Sequence, residues 1–432
     1  MGSPLSGGAR TFFRNKGSVY ENTLCTFCIN TCRFAESTVR NEFMDLSGAR
    51  ILHISKYYYP FLGGTEQVAR NMVKTLLDSG AEQKIICFNE DAEDGNLCCS
   101  KGETVTDTVD GIEVIRCGYT VKIASQSLSP AYDQQLKKLM NEFRPDVVIF
   151  HYPNPFVAYY LLKYKQRDFK LLVYWHLDIT RQRYLKYFVH GQTVSLIRRT
   201  DRILGATIRH INESEFYPYF DGKEYILPYM IDEDSFVLSE EEKREAQEIR
   251  DRYPGKVLGF FIGRHVFYKG LTYLIHAAEE LRYENIQFLI AGSGELTEKL
   301  KQEAKNSSNV EFVGRIDDSQ RRTYLYASDI LCFPSITRNE GFGLTLAEGM
   351  YFGLPAVTFT IPGSGVNEVN LDGVTGIECP NGDVQAYAYA LRLLCRDKEL
   401  REQYGAAARQ RILDNYTGEI FRKNLYELFR TL

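Results

Sequence analysis

No run of eighteen apolar residues occurs in the 432-residue sequence, which excludes a membrane-spanning helix. No positively charged start leads into an apolar core, so no secretory signal is expected. Charge of one sign is not in excess: the formal net charge is −4, and nothing in that balance suggests a nucleic-acid partner. A Walker sequence is absent, and so is a full Gly-x-Gly-x-x-Gly dinucleotide fingerprint. Cysteine is far below the share of a disulfide-stapled scaffold. The ten present, with Cys87, Cys332 and Cys395 inside apolar runs, read as reduced thiols rather than a disulfide framework, and the expected location is cytoplasmic.

What is present is enough apolar material for sizeable cores, 44% of residues, with 29 Tyr and 26 Phe. The length calls for more than one domain. Residues 1–43 differ from the rest: Gly, Ser, Arg and Asn are common and no apolar period lasts. Cys25-x2-Cys28-x3-Cys32 stands out there, but no fourth ligand follows, so no metal site is assigned. The start Met1-Gly2-Ser3-Pro4-Leu5-Ser6 matches a myristoylation signal and many artificial starts equally well. The working chain is expected to begin near Met44, with the preceding segment a disordered or non-native leader.

From Ile51 onward strands and helices alternate, which argues for parallel sheets covered by helices. In the first half the expected strands are Ile51–Ile54, Lys84–Phe88, Ile112–Arg116, Val147–Phe150, Leu171–Tyr174 and Ile203–Ala206. Helices are expected over Tyr132–Phe143 and Phe156–Lys165. Gly63-Gly64 joins the first strand to a helix carrying Val68, Met72 and Leu76 on one face. Glycine there lets backbone approach a ligand, although a plain tight turn needs it as much. His176 follows the strand that holds the only Trp and points at the sheet edge; His53 and His151 end strands too. Arg181, Arg183, Lys186, Arg198, Arg199 and Arg202 are interleaved with aromatic and aliphatic residues. That pattern suits an anionic membrane surface or a solvated helix face over a core stripe.

A break at Leu227-Pro228 and a charged helix, Glu240–Arg252, mark a domain boundary. Asp232-x-Asp234 has metal-pair spacing, but its place ahead of a helix suits turn or capping work. The second half opens with the strand Val257–Ile262. Its end, Gly263-Arg264-His265-Val266-Phe267-Tyr268-Lys269-Gly270, sets two cations around a helix start, where a diphosphate would be held. Gly292-Ser293-Gly294 follows another strand, and Arg315 and Ile316 follow the next. Asn339–Met350 then carries two carboxylates, Glu340 and Glu348, around Gly341-Phe342-Gly343-Leu344. Glu340 is expected near a strand's carboxyl end and Glu348 about two turns into a helix. That edge of an open α/β sheet is where ligands bind.

Gly63-Gly64, His176, Gly263-Arg264-x4-Lys269-Gly270, Gly292-x-Gly294 and Glu340-x7-Glu348 occur in this order. In this combination the chain resembles the retaining GT-B glycosyltransferases of the group 1, or family 4, class, from about Ile51 to the C-terminus. The resemblance implies two facing Rossmann-like domains with a cleft between them. Residues 44–228 would form the acceptor domain and 229–414 the nucleotide-sugar donor domain. A last helix within 415–432 would cross back to the first domain.

It further implies that Arg264 and Lys269 neutralise the leaving diphosphate and that Glu348 holds the ribose. Glu340 would hold the donor sugar, and His176 would touch that sugar near the reacting carbon. Gly341, Phe342, Gly343 and Leu344 would contact sugar and phosphate. Arg315 and Ile316 would lie near the base, with Gly292 also at the donor, and Gly63 and Gly64 would close over the phosphates. No obligate metal and no cofactor are implied. The implied reaction transfers a hexose from a nucleotide-diphosphate sugar to a glycan or lipid-linked glycan, as in capsule, O-antigen or exopolysaccharide synthesis, with peripheral contact to an anionic membrane. A small-molecule glycosyltransferase, a nucleotide-sugar epimerase and a non-catalytic nucleotide-sugar-binding protein share the pattern in part. Relatives often carry Gly-Gly-x-x-Glu where this chain has Pro362-Gly363-Ser364-Gly365-Val366-Asn367-Glu368, so the sugar pocket is expected to differ.

Overall fold

The structure, a computed structural model, describes residues 44–61, 63–90, 97–123, 126–164, 168–179 and 183–432. The leader, its three cysteines and Arg181 lie outside the described residues. In the first half, β1 (Arg50–Ile54), α1 (Gly64–Leu77), β2 (Glu82–Phe88), β3 (Val105–Val109) and β4 (Ile112–Cys117) come in order. A hairpin, β5 (Val121–Ile123) with β6 (Gln126–Leu128), precedes α2 (Pro130–Lys138) and β7 (Val147–Tyr152). Then follow α3 (Pro155–Leu162), β8 (Lys170–Trp175), α4 (Arg183–Arg199), β9 (Arg202–Gly205), α5 (Ile208–Asn212) and β10 (Glu224–Ile226).

Apart from the β5–β6 hairpin, these strands make an eight-stranded sheet in the order β10-β9-β8-β7-β1-β2-β4-β3. Every pairing is parallel except that of β3 with β4. The central strands are runs of β-branched and aromatic residues such as Val147-Val148-Ile149-Phe150, all buried, as a sheet covered on both faces requires. The edge strand β3 was not foreseen. Its sequence, Val-Thr-Asp-Thr-Val, is mostly exposed at the sheet margin, so it carries no apolar run to announce it. The helix expected over Tyr132–Phe143 divides into α2 and a π-helical turn, Leu139–Phe143.

The second half runs α6 (Glu240–Asp251), β11 (Val257–Ile262), α7 (Leu271–Glu280), β12 (Ile286–Ala291), α8 (Thr297–Glu303) and β13 (Val310–Gly314). It continues with α9 (Asp318–Ala327), β14 (Ile330–Phe333), α10 (Leu344–Tyr351), β15 (Ala356–Phe359), α11 (Val366–Val369) and β16 (Gly376–Cys379). The helices α12 (Val384–Arg396), α13 (Lys398–Asn415) and α14 (Gly418–Arg430) end the chain. The sheet order is β13-β12-β11-β14-β15-β16, all parallel. Strand order reverses between β11 and β14. At such a switch point the loops leaving two adjacent strands part to opposite faces and leave a crevice.

The architecture is GT-B: two Rossmann-like halves joined by two crossovers. The crossovers pair with each other, the Ile231 amide donating to the Tyr416 carbonyl at 2.7 Å. The Gly418 amide donates to Glu233 at 2.9 Å. Beyond them α14 returns to the first half and buries Phe421, Leu425 and Leu428. Tyr225 of β10 donates its hydroxyl to Asn424 on α14 at 2.8 Å, and Tyr426 donates to Thr75 of α1 at 3.4 Å. Asp232, read as a linker residue, pairs with Lys74 of α1 at 3.5 Å.

Candidate active site

The crevice between β11 and β14 gathers several of the expected residues. Lys269 ends a single 3-10 turn after β11 and is only 8% exposed. Its Nζ lies 2.5 Å from Glu340 Oε2, and Ser335 donates to the same oxygen at 3.1 Å. Burial works against the ammonium charge, but Glu340 outweighs it and the Lys269 pKa is raised. Lys269 therefore stays charged beside a carboxylate in a nearly dry site, where Coulomb interactions are strong. Arg264, on the same loop, is exposed. Its charge acts on Lys269 and, across the cleft, on Glu66 and Lys56 of the first half.

Glu340 lies in the loop between β14 and α10, and its carbonyl accepts from the Ser364 hydroxyl. The next residue is pinned as well, the Gly365 amide donating to the Gly341 carbonyl at 2.8 Å. Gly343 then takes a positive φ of 85° as the residue before α10, a conformation that glycine adopts without strain. No side chain among the described residues caps this helix, which leaves its first amides for an acceptor atom. Glu348 is the fifth residue of α10, one turn in rather than two, because the left-handed Gly343 delays the helix start. Its carboxylate is 8% exposed. Oε1 sits 3.6 Å from Arg321 Nη1, whereas Oε2 is buried with no hydrogen-bond partner among the described residues. Burial pushes the Glu348 carboxyl up, with Arg321 opposing.

Arg315 and Ile316 leave β13 at the rim, Arg315 exposed and Ile316 half-buried. Gly292 links that rim to the cation loop. Its amide donates to the Gly314 carbonyl at 2.7 Å, and a Cβ on it would lie 2.0 Å from the Gly263 carbonyl. With φ at 112°, the position excludes a side chain.

Across the cleft, a Cβ on Gly64 would lie 3.8 Å from Leu344, so the Gly63-Gly64 turn does face the start of α10. The carboxylate of Glu66 folds back over Gly63 and accepts from Thr65 at 2.9 Å. Glu66 was not singled out in the sequence. His176 is 2% exposed, and both ring nitrogens have partners: Nδ1 is 2.5 Å from Tyr229 Oη and Nε2 is 3.0 Å from His151 Nδ1. Burial pushes its pKa down to about 3. What it turns toward the Gly341-Phe342-Gly343 loop is its carbonyl oxygen, 3.1 Å from where a Cβ on Gly341 would sit. His210, unremarked in the sequence, stands beside it, its Cε1 3.2 Å from the same point.

Two further residues missed in the sequence join the halves. Asp178 accepts from Trp175 at 2.8 Å, Ser214 at 2.7 Å and Arg338 at 2.6 Å. Glu368, in the altered turn, accepts from the amides of Ile208, at 3.2 Å, and Arg209 at the start of α5. Of the basic stretch on α4, Arg199 donates to the Leu162 carbonyl at 2.9 Å, and Leu196 and Ile197 are core residues.

The chain matches the family described as "Glycosyl transferases group 1" over residues 242–411 and that described as "Glycosyltransferase Family 4" over residues 62–209. Between them these spans contain the cation loop, the Glu340–Glu348 segment, Gly64 and His176. The chain belongs to the group 1 glycosyltransferases. Among curated relatives, the O-antigen chain mannosyltransferase C of Escherichia coli is 26% identical over 386 residues, covering 89% of this chain and 98% of that protein. The D-rhamnosyltransferase WbpZ of Pseudomonas aeruginosa is 28% identical over 373 residues, with 85% and 92% covered. Among solved structures, sucrose-phosphate synthase from Thermosynechococcus elongatus superposes with a TM-score of 0.71 at 17% identity, covering 89% of this chain and 98% of that one. Anabaena HepE in complex with UDP-glucose gives 0.67 at 16% identity, covering 89% and 100%. These superpositions establish the GT-B fold of this glycosyltransferase. No helix among its described residues is long and apolar enough to cross a membrane.

Proposed function

We propose that this glycosyltransferase moves a hexose, with retention of anomeric configuration, from a nucleotide-diphosphate sugar to a glycan or lipid-linked glycan acceptor in polysaccharide synthesis. The observation that carries the reading is Glu348. A buried carboxylate with one oxygen unpartnered costs stability. It becomes favourable when a diol, such as a ribose, donates to it.

The other residues fall into place around that contact. The free amides at the start of α10, with Lys269 and Arg264, meet the diphosphate, and Glu340 meets sugar hydroxyls once Lys269 turns to phosphate. Negative charge grows on the diphosphate as the donor C1–O bond breaks, and cations already fixed there lower the barrier. The acceptor hydroxyl attacks C1 from the face the diphosphate leaves. Its proton passes to a diphosphate oxygen as the new C1–O bond forms. Glu340 is therefore a binding group and not a covalent nucleophile. Charge compensation by Arg264 and Lys269 predicts turnover that persists in chelator.

Two of the relatives, a mannosyltransferase and a D-rhamnosyltransferase, favour a manno-configured hexose or its 6-deoxy form as the transferred unit. A lipid-linked acceptor would bring the chain to a membrane surface. The test is a thermal-shift screen against nucleoside diphosphates, followed by NMR of the anomeric proton of the product. A preferred base and a product anomer equal to that of the donor support the proposal. An inverted anomer contradicts retention. Binding without any turnover favours a non-catalytic sugar-nucleotide-binding protein.

A further inference from the structure

His176 belongs to a buried chain of rings whose protons can be counted. Tyr174 stacks on it at 4.7 Å between centroids, and His151 lies nearly coplanar with it at 5.3 Å and 8°. Burial holds His176 neutral and pushes His151 well below the usual histidine range, so each imidazole carries one proton. Two directions of hydrogen bonding fit the distances. In the first, the Tyr229 hydroxyl donates to His176 Nδ1, and His176 Nε2–H donates to His151 Nδ1. Only His151 Nε2–H is then left without a partner among the described residues. In the reverse direction the Tyr229 proton is stranded, and the His151 Nε2 lone pair as well. An unmet buried polar group is costly, and the first direction leaves one where the reverse leaves two, so the first prevails.

Tyr229 is not a neighbour of His176 in sequence; it sits on the first crossover. Ile231, two residues on, bonds the second crossover through Tyr416. The Tyr229 ring stands 5.0 Å from that of Phe342, and Phe342 meets Tyr416 edge-on at 5.3 Å. Phe342 is the middle of the Gly341-Phe342-Gly343 loop. Its ring is thus held between one aromatic residue from each crossover, and one of those two also bonds His176.

We infer that Tyr229 is a positioning residue that links the donor loop to His176, its hydroxyl fixing the His176 tautomer with Nδ1 as acceptor and Nε2 protonated. Seating of a donor on the loop moves Phe342 against Tyr229, and Tyr229 sets the ring that anchors residue 176 against Gly341. This extends the proposed donor-site reading and rests on it for its effect on turnover, whereas the tautomer stands independently.

The test pairs kinetics with nitrogen-15 NMR of the histidines. In the wild type, His176 shows the Nε2–H tautomer. Tyr229→Phe keeps the ring packing and removes the hydroxyl. It is expected to mix the two tautomers and to lower kcat about tenfold with donor KM within about twofold, while the thermal shift with nucleoside diphosphate stays at the wild-type value. Tyr225→Phe, which removes a hydroxyl bond to α14 near the same crossover, is expected to change neither. An Nδ1–H tautomer in the wild type overturns the inference, even if the variant fails to fold. An unchanged tautomer in Tyr229→Phe overturns it whatever happens to kcat, and so does an equal loss of kcat in Tyr225→Phe. If the wild type shows no nucleoside-diphosphate shift, the donor-site reading fails while the tautomer still decides the network.

Discussion

Arg338 Nη2 lies 2.6 Å from Asp178 Oδ2, an ion pair that spans the cleft between the two halves. Asp178 is almost wholly buried and Arg338 is 32% exposed, so the pair is better shielded than a surface salt bridge. Asp178 keeps its bonds to Trp175 and Ser214 without Arg338, so its own half should survive the loss. Arg338→Ala is expected to remove about 1.5–3 kcal/mol from the closed arrangement. Small-angle scattering of the nucleotide-free variant should give a larger radius of gyration than wild type, with donor turnover lowered. An unchanged radius and unchanged turnover would show that closure does not depend on this pair.

Lys269→Ala affects two properties at once. It removes the cation assigned to the leaving diphosphate and leaves Glu340 with only Ser335. Turnover is expected to fall at least about tenfold, from a loss of up to several kcal/mol of transition-state stabilisation. The melting temperature should fall too, because a partly buried carboxylate loses its charged partner. Wild-type turnover would remove Lys269 from the site.

Glu348→Gln separates stability from binding. The carboxylate is buried with one oxygen unpartnered, so replacing its charge by a neutral amide should leave the melting temperature equal or raise it. Affinity for nucleoside diphosphate, measured by calorimetry, should fall about tenfold, because a charged acceptor to the ribose is lost. A falling melting temperature with unchanged affinity would make Glu348 a structural residue.

Acid stability should follow the buried histidines. Burial pushes His53 from 6.5 to about 4, with its Nε2 3.0 Å from Gln83 Oε1. Between those values the unfolded chain holds a proton that the folded chain does not, so stability falls as pH drops from 6.5 toward 4. The steepest loss is about 1.4 kcal/mol per pH unit for one such group. His53→Gln should flatten that limb of the melting curve measured from pH 8 to pH 4, whatever it does to stability at pH 8. An equally steep limb in the variant would assign the acid loss to other groups.

The second half was the more legible in the sequence, for a physical reason. Its candidate site residues sit on or just after short glycine loops that follow buried strands, so strand runs and glycine positions together place Lys269, Glu340 and Glu348. What the loops conceal is depth: the left-handed Gly343 starts α10 later than the apolar pattern suggests, and Glu348 lies one turn in rather than two. The first half was less legible. The partners of His176 are 25 residues before it and 53 after it, brought together by parallel pairing and a crossover that no local spacing encodes. Neither Glu368 nor Asp178 was given a role from the sequence, because their roles depend on the opposite half of the molecule.

Nucleotide-sugar turnover at the β11–β14 crevice is open to direct assay. The most direct measurement incubates the protein with a panel of GDP-, UDP- and ADP-hexoses and a lipid-linked glycan extract and quantifies released nucleoside diphosphate. Acceptor-dependent release with one preferred base is expected, lowered at least about tenfold in Lys269→Ala. No acceptor-dependent release with any donor, or release that Lys269→Ala leaves untouched, would contradict it.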